Sequence, residues 1–169
     1  MVTRLYLIGF MGSGKTTVGR LVADLMHWCF LDLDEEIERV EGRSVSEIFR
    51  QSGESHFRQL EQQRLRSISG PRDLIVALGG GTYEAARNRE FIEDNGTSVY
   101  LETPLEDIYS RLESDGTRPM FSSRDEVSEL YQQRLSSYNM ARVKVETNHM
   151  DPATIAEEIV RLMTSASGC

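Results

Sequence analysis

Short apolar runs recur along the chain, and stretches with apolar residues at helical spacing separate them. The runs lie at residues 5–8, 28–33, 74–78, 97–101 and 143–145. Their length and their ends at glycine or polar residues are typical of buried strands. Because strands alternate with helices, the pattern predicts a three-layer α/β/α fold with a central parallel sheet of about five strands.

The helical stretches carry recognisable faces and start signals. The first predicted helix has one apolar face, formed by Val18, Leu21, Val22, Leu25 and Met26. Ser44 and Glu47 have the spacing of a capping box, which predicts a helix start. Asp151 followed by Pro152 predicts the cap and the first turn of a final helix.

Length and composition narrow the classes of protein. The 169 residues contain no repeat and no long linker, so we predict a single domain over residues 1–169. A net charge of −8 argues against sequence-independent nucleic-acid binding, and no apolar run is long enough for a membrane span. Cys29 and Cys169 have neither metal-site nor disulfide spacing, which fits a reducing cytosol, so we expect a cytoplasmic protein.

Residues 9–16, Gly-Phe-Met-Gly-Ser-Gly-Lys-Thr, match the phosphate-loop pattern G-x-x-x-x-G-K-[ST] between a predicted strand and a predicted helix. Such a loop surrounds phosphate oxygens with backbone N–H groups, and the following helix adds its positive dipole end. Lys15 is one of only two lysines and is expected to reach the β- and γ-phosphates, with the Thr16 hydroxyl on Mg²⁺. The structural alternative is a glycine-rich turn that only tightens packing, but the flanking strand and helix favour nucleoside-triphosphate binding.

A phosphate loop alone serves several classes of protein. The chain has no N-K-x-D motif of the kind with which GTPases read their base, because its two lysines follow Gly14 and Val143. Residues 30–34 are a short candidate for the acidic strand of a motor ATPase, and they contain two acids. The chain length instead favours a small-molecule kinase.

Further motifs follow the loop in order: Asp32-Leu33-Asp34, Phe57-Arg58 with Glu61, Gly79-Gly80-Gly81, Arg118-Pro119, and Arg134 with Tyr138. This ordered set resembles the shikimate kinases over nearly the whole chain. The resemblance implies a P-loop fold of the nucleoside-monophosphate-kinase type with a mobile lid. It also implies transfer of the γ-phosphate of ATP to the 3-hydroxyl of shikimate, which gives shikimate 3-phosphate and ADP.

The resemblance implies roles for individual residues. The catalytic residues would be Lys15, Asp34 and Arg118. ATP would be bound by Gly12, Ser13, Gly14, Lys15, Thr16, Thr17, Arg111 and Arg118, with Arg111 against the adenine. Shikimate would be bound by Asp34, Arg58, Gly79, Gly80, Gly81 and Arg134, and Mg²⁺ by Thr16 and Asp32. Residues 34–61 would form the substrate-binding segment, and residues 113–124 the lid that closes over ATP.

The residue types suit this chemistry, but each has a structural alternative. Arginine binds a carboxylate bidentately, yet Arg58 has the helical spacing to pair with Glu54 and Glu61 instead. Either aspartate of the Asp32-Leu33-Asp34 motif could cap a helix. The glycine triplet could be a plain turn, and Arg134 could be a solvated arginine on a polar helix.

Three rival functions remain at this level: another small-molecule kinase of the same fold, a regulatory module that binds ATP without turnover, and a switch NTPase. The combination of D-x-D, F-R and G-G-G favours a shikimate kinase over the first. Presence of Lys15, Asp34 and Arg118 together argues against the second, and the missing base-reading motif argues against the third. We expect a monomer with ATP and shikimate as its small-molecule partners, and no nucleic-acid or membrane partner.

Overall fold

A computed structural model of the chain describes residues 4–68, 73–114 and 123–165. The strands of the described part are β1 (Arg4–Ile8), β2 (Cys29–Asp32), β3 (Leu74–Ala77), β4 (Thr97–Glu102) and β5 (Val143–Glu146). Its helices are α1 (Lys15–Met26), α2 (Leu33–Glu41), α3 (Val45–Ser67), α4 (Ala86–Asn95), α5 (Leu105–Ser114), α6 (Arg124–Tyr138) and α7 (Pro152–Ser165). A 3₁₀ turn spans Thr82–Glu84.

The five strands form one parallel sheet in the order β2-β3-β1-β4-β5. The predicted α/β fold with a parallel sheet of about five strands is therefore confirmed. Since β3 lies between β2 and β1, the carboxyl ends of these three strands are neighbours at one edge of the sheet. Ligands of parallel α/β proteins bind at this edge.

The two faces of the sheet support separate cores. On β1, Leu5 and Leu7 face one core and Tyr6 and Ile8 face the other, as the two-residue period of a strand requires. The first core is covered by α1 and α7, and the second by α2 to α6. The three predicted layers are thus present, with the sheet in the middle.

Three details of the sequence prediction are wrong. The second strand ends at Asp32 rather than at residue 33, because the Asp32 side chain caps α2 and Leu33 is already helical. Its residues are also only partly covered, since β2 is an edge strand. On α1, Leu25 is half exposed, so the buried face is centred on Val18 and Val22.

The predicted helix starts agree with the structure. Ser44 and Glu47 form a reciprocal capping box at the start of α3, and the Asp151 carboxylate accepts N–H bonds from the first turn of α7. Inside α3 the backbone departs from helical geometry at Gly53, with φ 80° and ψ 168°. This kink redirects the second part of α3, which carries Phe57 and Arg58. Among the described residues, none of the helices has both the length and the hydropathy that crossing a bilayer requires.

Candidate active site

The loop between β1 and α1 adopts the conformation that its glycines allow. Gly12 and Gly14 have φ values of 72° and 89°, in the left-handed region that other residues avoid. The Ser13 N–H closes a turn onto the Phe10 carbonyl, at 3.2 Å between N and O. The loop therefore ends at the amino terminus of α1, where unpaired N–H groups and the helix dipole favour an anion.

Lys15, the first residue of α1, folds its side chain back across this loop. Its ammonium donates to the carbonyls of Gly9 and Phe10, at 2.9 and 2.8 Å. Burial lowers the pKa of Lys15 to about 8, while the nearby carboxylates of Asp34 and Asp32 act in the opposite direction. The Lys15 ammonium thus lies between the carbonyls of the loop and the two carboxylates at the junction of β2 and α2.

Thr16 and Asp32 are brought together from α1 and β2. The Thr16 hydroxyl donates to Asp32 Oδ2 at 2.6 Å, while Asp32 Oδ1 accepts the N–H groups of Asp34 and Glu35. Asp32 is therefore a helix cap, as the structural alternative held, and it also faces the phosphate loop. Its two roles use different oxygens.

The oxygens of Thr16 and Asp32 are hard ligands of the kind that Mg²⁺ prefers. In the described ranges, no group of three or more His, Cys, Asp and Glu side chains has the arrangement of a metal site. Two side-chain oxygens leave the rest of an Mg²⁺ shell to phosphate oxygens and water, which is how Mg²⁺ is held in nucleotide-binding sites. The two residues fit that requirement.

The other residues expected at ATP lie around the same loop. Ser13 is buried within it, and Thr17 is exposed on the first turn of α1. The Arg111 guanidinium on α5 donates to the Gly12 carbonyl at 3.0 Å. This contact brings a second positive charge to the loop from a distant part of the chain.

A cavity of about 310 Å³ opens beside the phosphate loop, within the size range of small-molecule sites. It is lined by Met11, Asp34, Val45, Phe49, Glu54, Phe57, Arg58, Glu61, Gly79, Gly80, Gly81, Leu130 and Arg134. We call it the acceptor pocket. It brings together every residue that the sequence analysis expected at shikimate, from α2, α3, α6 and the loop after β3.

Asp34 brings an unsatisfied polar atom to the acceptor pocket. Its Oδ1 atom is buried, and no donor of the described residues reaches it. Burial raises the pKa of Asp34 to about 7, and repulsion by Glu61 and Asp32 adds to the effect. The carboxyl is thus an acceptor without a donor, poised to change charge near neutral pH.

The glycine triplet after β3 forms one wall of the acceptor pocket. A Cβ atom on Gly79 would lie 2.8 Å from Asp34 Oδ1 and 2.9 Å from Glu61 Oε1. A Cβ atom on Gly81 would lie 2.6 Å from an Arg58 guanidinium nitrogen. Charged side chains of the pocket therefore lie against the backbone of the triplet, where a Cβ atom would be too close to them. A plain turn would not require this close approach.

Arg58 makes both ion pairs that its helical spacing allowed. It donates to Glu61 at 3.0 Å and to Glu54 at 3.2 Å. Glu61 is buried and also accepts the Thr82 hydroxyl at 2.5 Å. The structural alternative thus describes Arg58 correctly, but the same guanidinium lines the acceptor pocket, so the pairs hold it in place there.

Arg134 is not a solvated arginine. It is only 6% exposed, and its guanidinium lies over the Phe10 ring at 5.7 Å from the ring centroid. Its Nε atom lies 3.2 Å from a carboxylate oxygen of Glu84. The solvated alternative is therefore wrong, because α6 turns this residue inward against the phosphate loop.

The expected catalytic arginine, Arg118, lies outside the described residues, as do residues 115–122 of the expected lid. Val45, Phe49 and Phe57 form the apolar wall of the pocket, which no sequence motif indicated, since apolar residues at helical spacing look the same in a core. Glu84 was likewise not predicted at the site. Its position three residues after the glycine triplet is the sequence signal that could have indicated it.

Comparisons with known proteins agree with one another. The family model described as shikimate kinase matches residues 11–164. A shikimate kinase of Persephonella marina is 40% identical over 157 residues, which cover 92% of this chain and 96% of that protein.

Solved structures give the same result. A shikimate kinase from Acinetobacter baumannii, in complex with shikimate, has a TM-score of 0.93 and 36% identity, covering 100% of this chain and 97% of that one. A shikimate kinase from Aquifex aeolicus has a TM-score of 0.83 and 35% identity, with 98% and 99% covered. The similarity therefore extends over the phosphate loop and the acceptor pocket alike.

Proposed function

The chain belongs to the shikimate kinase family, and on that premise we propose how its residues divide the work between ATP and shikimate. As a member, it is an ATP-dependent kinase that phosphorylates shikimate. The phosphate loop binds the ATP phosphates through the N–H groups of Gly12, Ser13 and Gly14, and the Ser13 N–H leaves the Phe10 carbonyl to do so. Lys15 then exchanges its loop carbonyls for phosphate oxygens, a role that its position inside the loop supports.

We assign the divalent metal of this kinase family to Mg²⁺, held by Thr16 and Asp32. When bound, Mg²⁺ neutralises charge on the phosphates and orients them. The hydrogen bond between the two residues supports this assignment, because their oxygens lie 2.6 Å apart, close enough for one small cation to contact both. Thr17 and Arg111 complete the phosphate side from the start of α1 and from α5.

The acceptor pocket binds shikimate by its carboxylate and its hydroxyl groups. Arg58 and Arg134 bind the carboxylate, since both guanidinium groups line the pocket and offer paired donors. The triplet Gly79–Gly81 allows the ring to approach the backbone. The apolar wall excludes water from the ring, which suits a compact and partly apolar substrate.

Asp34 binds the hydroxyl that attacks the γ-phosphate. The observation that carries this proposal is its buried Oδ1 atom, which lacks a donor and lies between the phosphate loop and the pocket. A substrate hydroxyl supplies that donor, and a carboxyl with a pKa near neutrality is suited to orient it and to accept its proton. In phosphoryl transfer, orientation and charge stabilisation matter more than a strong base.

A coupled assay of ADP release tests the proposed substrate. We expect ADP to form rapidly with shikimate and Mg·ATP, and only slowly with other polyols, gluconate or nucleoside monophosphates. A shikimate analogue without its 3-hydroxyl should bind but not react. ADP formation that is independent of shikimate, or equal with a nucleoside monophosphate, would contradict the proposal.

Other expectations stay predictions from the sequence. Arg118 is proposed to stabilise the transferring phosphoryl group, and residues 113–124 to act as a lid. We propose that one chain suffices for activity, because the described parts of a single chain form both the phosphate loop and the acceptor pocket. A cytoplasmic location is likewise a prediction, which rests on the two cysteines having neither metal-site nor disulfide spacing.

A further inference from the structure

Two arginines of the acceptor pocket are paired differently. Arg58 has carboxylate partners on its own helix, at three and four residues' distance. The ion pairs of the described residues give Arg134 a partner from a different element, Glu84 on the 3₁₀ turn after the glycine triplet. This long-range pair has no part in the function proposed above, and it involves an arginine that is almost fully buried.

Each side of the Arg134 guanidinium has a distinct neighbour. Its Nε edge faces Glu84 at 3.2 Å, and its flat face lies over the Phe10 ring. One terminal nitrogen lies 3.1 Å from where a Cβ of Gly80 would be, beside the pocket. Nε is buried and makes no hydrogen bond to the described residues, so its contact with Glu84 is an ion pair, and a terminal nitrogen lies nearest the pocket.

Glu84 has a fixed position relative to the glycine wall of the pocket. Its backbone N–H donates to the Gly81 carbonyl at 3.2 Å, so the turn that contains Glu84 is continuous with the triplet. On the other side, Tyr138 donates from α6 to the Gly80 carbonyl at 2.5 Å. The glycine wall and the helix that carries Arg134 are thus joined twice, once by a hydrogen bond and once by an ion pair.

We propose that Glu84 is a positioning residue for recognition of the substrate carboxylate. Its negative charge, 3.2 Å from Nε, holds the guanidinium in the position in which a terminal nitrogen faces the acceptor pocket. The inference rests on the proposed function, because it requires Arg134 to bind the carboxylate of shikimate. Glu84 itself lies outside the residues that line the pocket and does not contact the ligand.

Charge and packing explain why this position needs a carboxylate. A buried guanidinium without a counter-charge is unfavourable, and it rotates toward any acceptor within reach. The hydroxyl of Tyr138 already interacts with Arg134 and is the nearby alternative acceptor. Pairing with Glu84 keeps the guanidinium from turning further toward it before shikimate arrives.

The first test is the steady-state kinetics of Glu84→Gln. We expect the KM for shikimate to rise about tenfold, because the buried guanidinium loses its charge partner, with kcat and the KM for ATP within about twofold of wild type. Glu158→Gln is the matched control, because Glu158 is similarly exposed and pairs with Arg161 on α7, across the sheet from the pocket. Glu84→Asp keeps the charge and should recover part of the loss.

The second test uses the methyl ester of shikimate, which lacks the carboxylate charge. If Glu84 acts through Arg134, the ester binds wild type and Glu84→Gln equally, and Glu84→Gln adds little to Arg134→Ala. An equal loss for shikimate and ester, an unchanged or lower KM for shikimate, or full additivity with Arg134→Ala overturns the inference. Thermal melting identifies a variant that fails to fold, in which case Glu84→Asp is compared on acid and ester. Absence of shikimate-dependent activity in the wild type would instead contradict the proposed function itself.

Discussion

The phosphate loop and the acceptor pocket lie side by side, yet the chain builds them in different ways. The loop comes from one continuous stretch, residues 9–16, and its backbone N–H groups and carbonyls form most of the site. The pocket takes side chains from α2, α3 and α6 and backbone from the loop after β3. One site is local and made of backbone, whereas the other is assembled from distant side chains.

Because of this difference, we expect the two sites to respond differently to substitution. A backbone cradle recognises phosphates whatever molecule carries them, so the loop by itself gives little substrate specificity. The acceptor pocket depends on how four elements pack, and its arginines are held by carboxylates such as Glu61 and Glu84. Substitutions in the loop should therefore affect catalysis, and substitutions in the pocket should affect shikimate selectively.

The largest expected effect comes from Lys15→Met, which removes the one side-chain cation inside the loop. We expect kcat to fall by about 10³-fold or more, because a positive charge on the developing phosphoryl charge contributes several kcal/mol in a closed site. Shikimate affinity and the melting temperature should change little. ADP release and direct titration of shikimate measure the two quantities, and a kcat within about tenfold of wild type would refute the assignment.

Asp34→Asn comes next, because it removes the acceptor that binds the attacking hydroxyl. We expect kcat to fall by about 10²-fold or more while the KM for ATP stays within about twofold. In wild type, kcat/KM for shikimate should decline as the pH falls below about 7, where the carboxyl becomes protonated. A pH profile that is flat between pH 6 and 8 would argue against ionisation of Asp34 in the reaction.

Arg58→Ala should separate the two sites most cleanly. We expect a rise of about 30-fold or more in the dissociation constant for shikimate, since truncating one partner of a paired carboxylate contact costs about 2 kcal/mol or more. ATP affinity should not change. Isothermal titration with each ligand decides the point, and an equal loss for both ligands with a lower melting temperature would mean that Arg58 acts only as an ion-pair residue for Glu54 and Glu61.

The smallest expected effect concerns stability, and its sign is unusual for an aspartate. The pKa of Asp34 is about 7 in the folded protein and lies near 3.8 without the fold, so the native state holds the extra proton between these values. The contribution of Asp34 to the free energy of unfolding therefore decreases as the pH rises from about 4 to 7. At pH 8 we expect Asp34→Asn to melt a few degrees above wild type, since each kcal/mol shifts the melting temperature of a chain of this length by about 2–4 °C. At pH 4 we expect the variant and wild type to melt at the same temperature. A lower melting temperature at pH 8 would contradict the assigned shift.

Much of the fold could be predicted because its signals are local. Apolar runs indicated all five strands, and the capping residues Ser44 and Asp151 marked helix starts that the structure contains. The end of β2 was placed one residue too late, because an apolar residue at position 33 continues the run although the Asp32 side chain already caps the helix. Leu25 has the helical spacing of the buried face but is half exposed, which periodicity does not show.

By itself, the sequence determined the order of elements, the parallel sheet and the phosphate loop, because each depends on residues close together in the chain. The tertiary structure decided how the acceptor side is assembled. Only the packing of α6 turns Arg134 from a polar helix onto Phe10 and toward Glu84. Only the approach of α2 and α3 leaves Asp34 beside Glu61 against Gly79, with a raised pKa and an oxygen without a donor. Burial and like-charge repulsion arise between elements that are far apart in sequence, so the chemistry that they set appears only when the chain is folded.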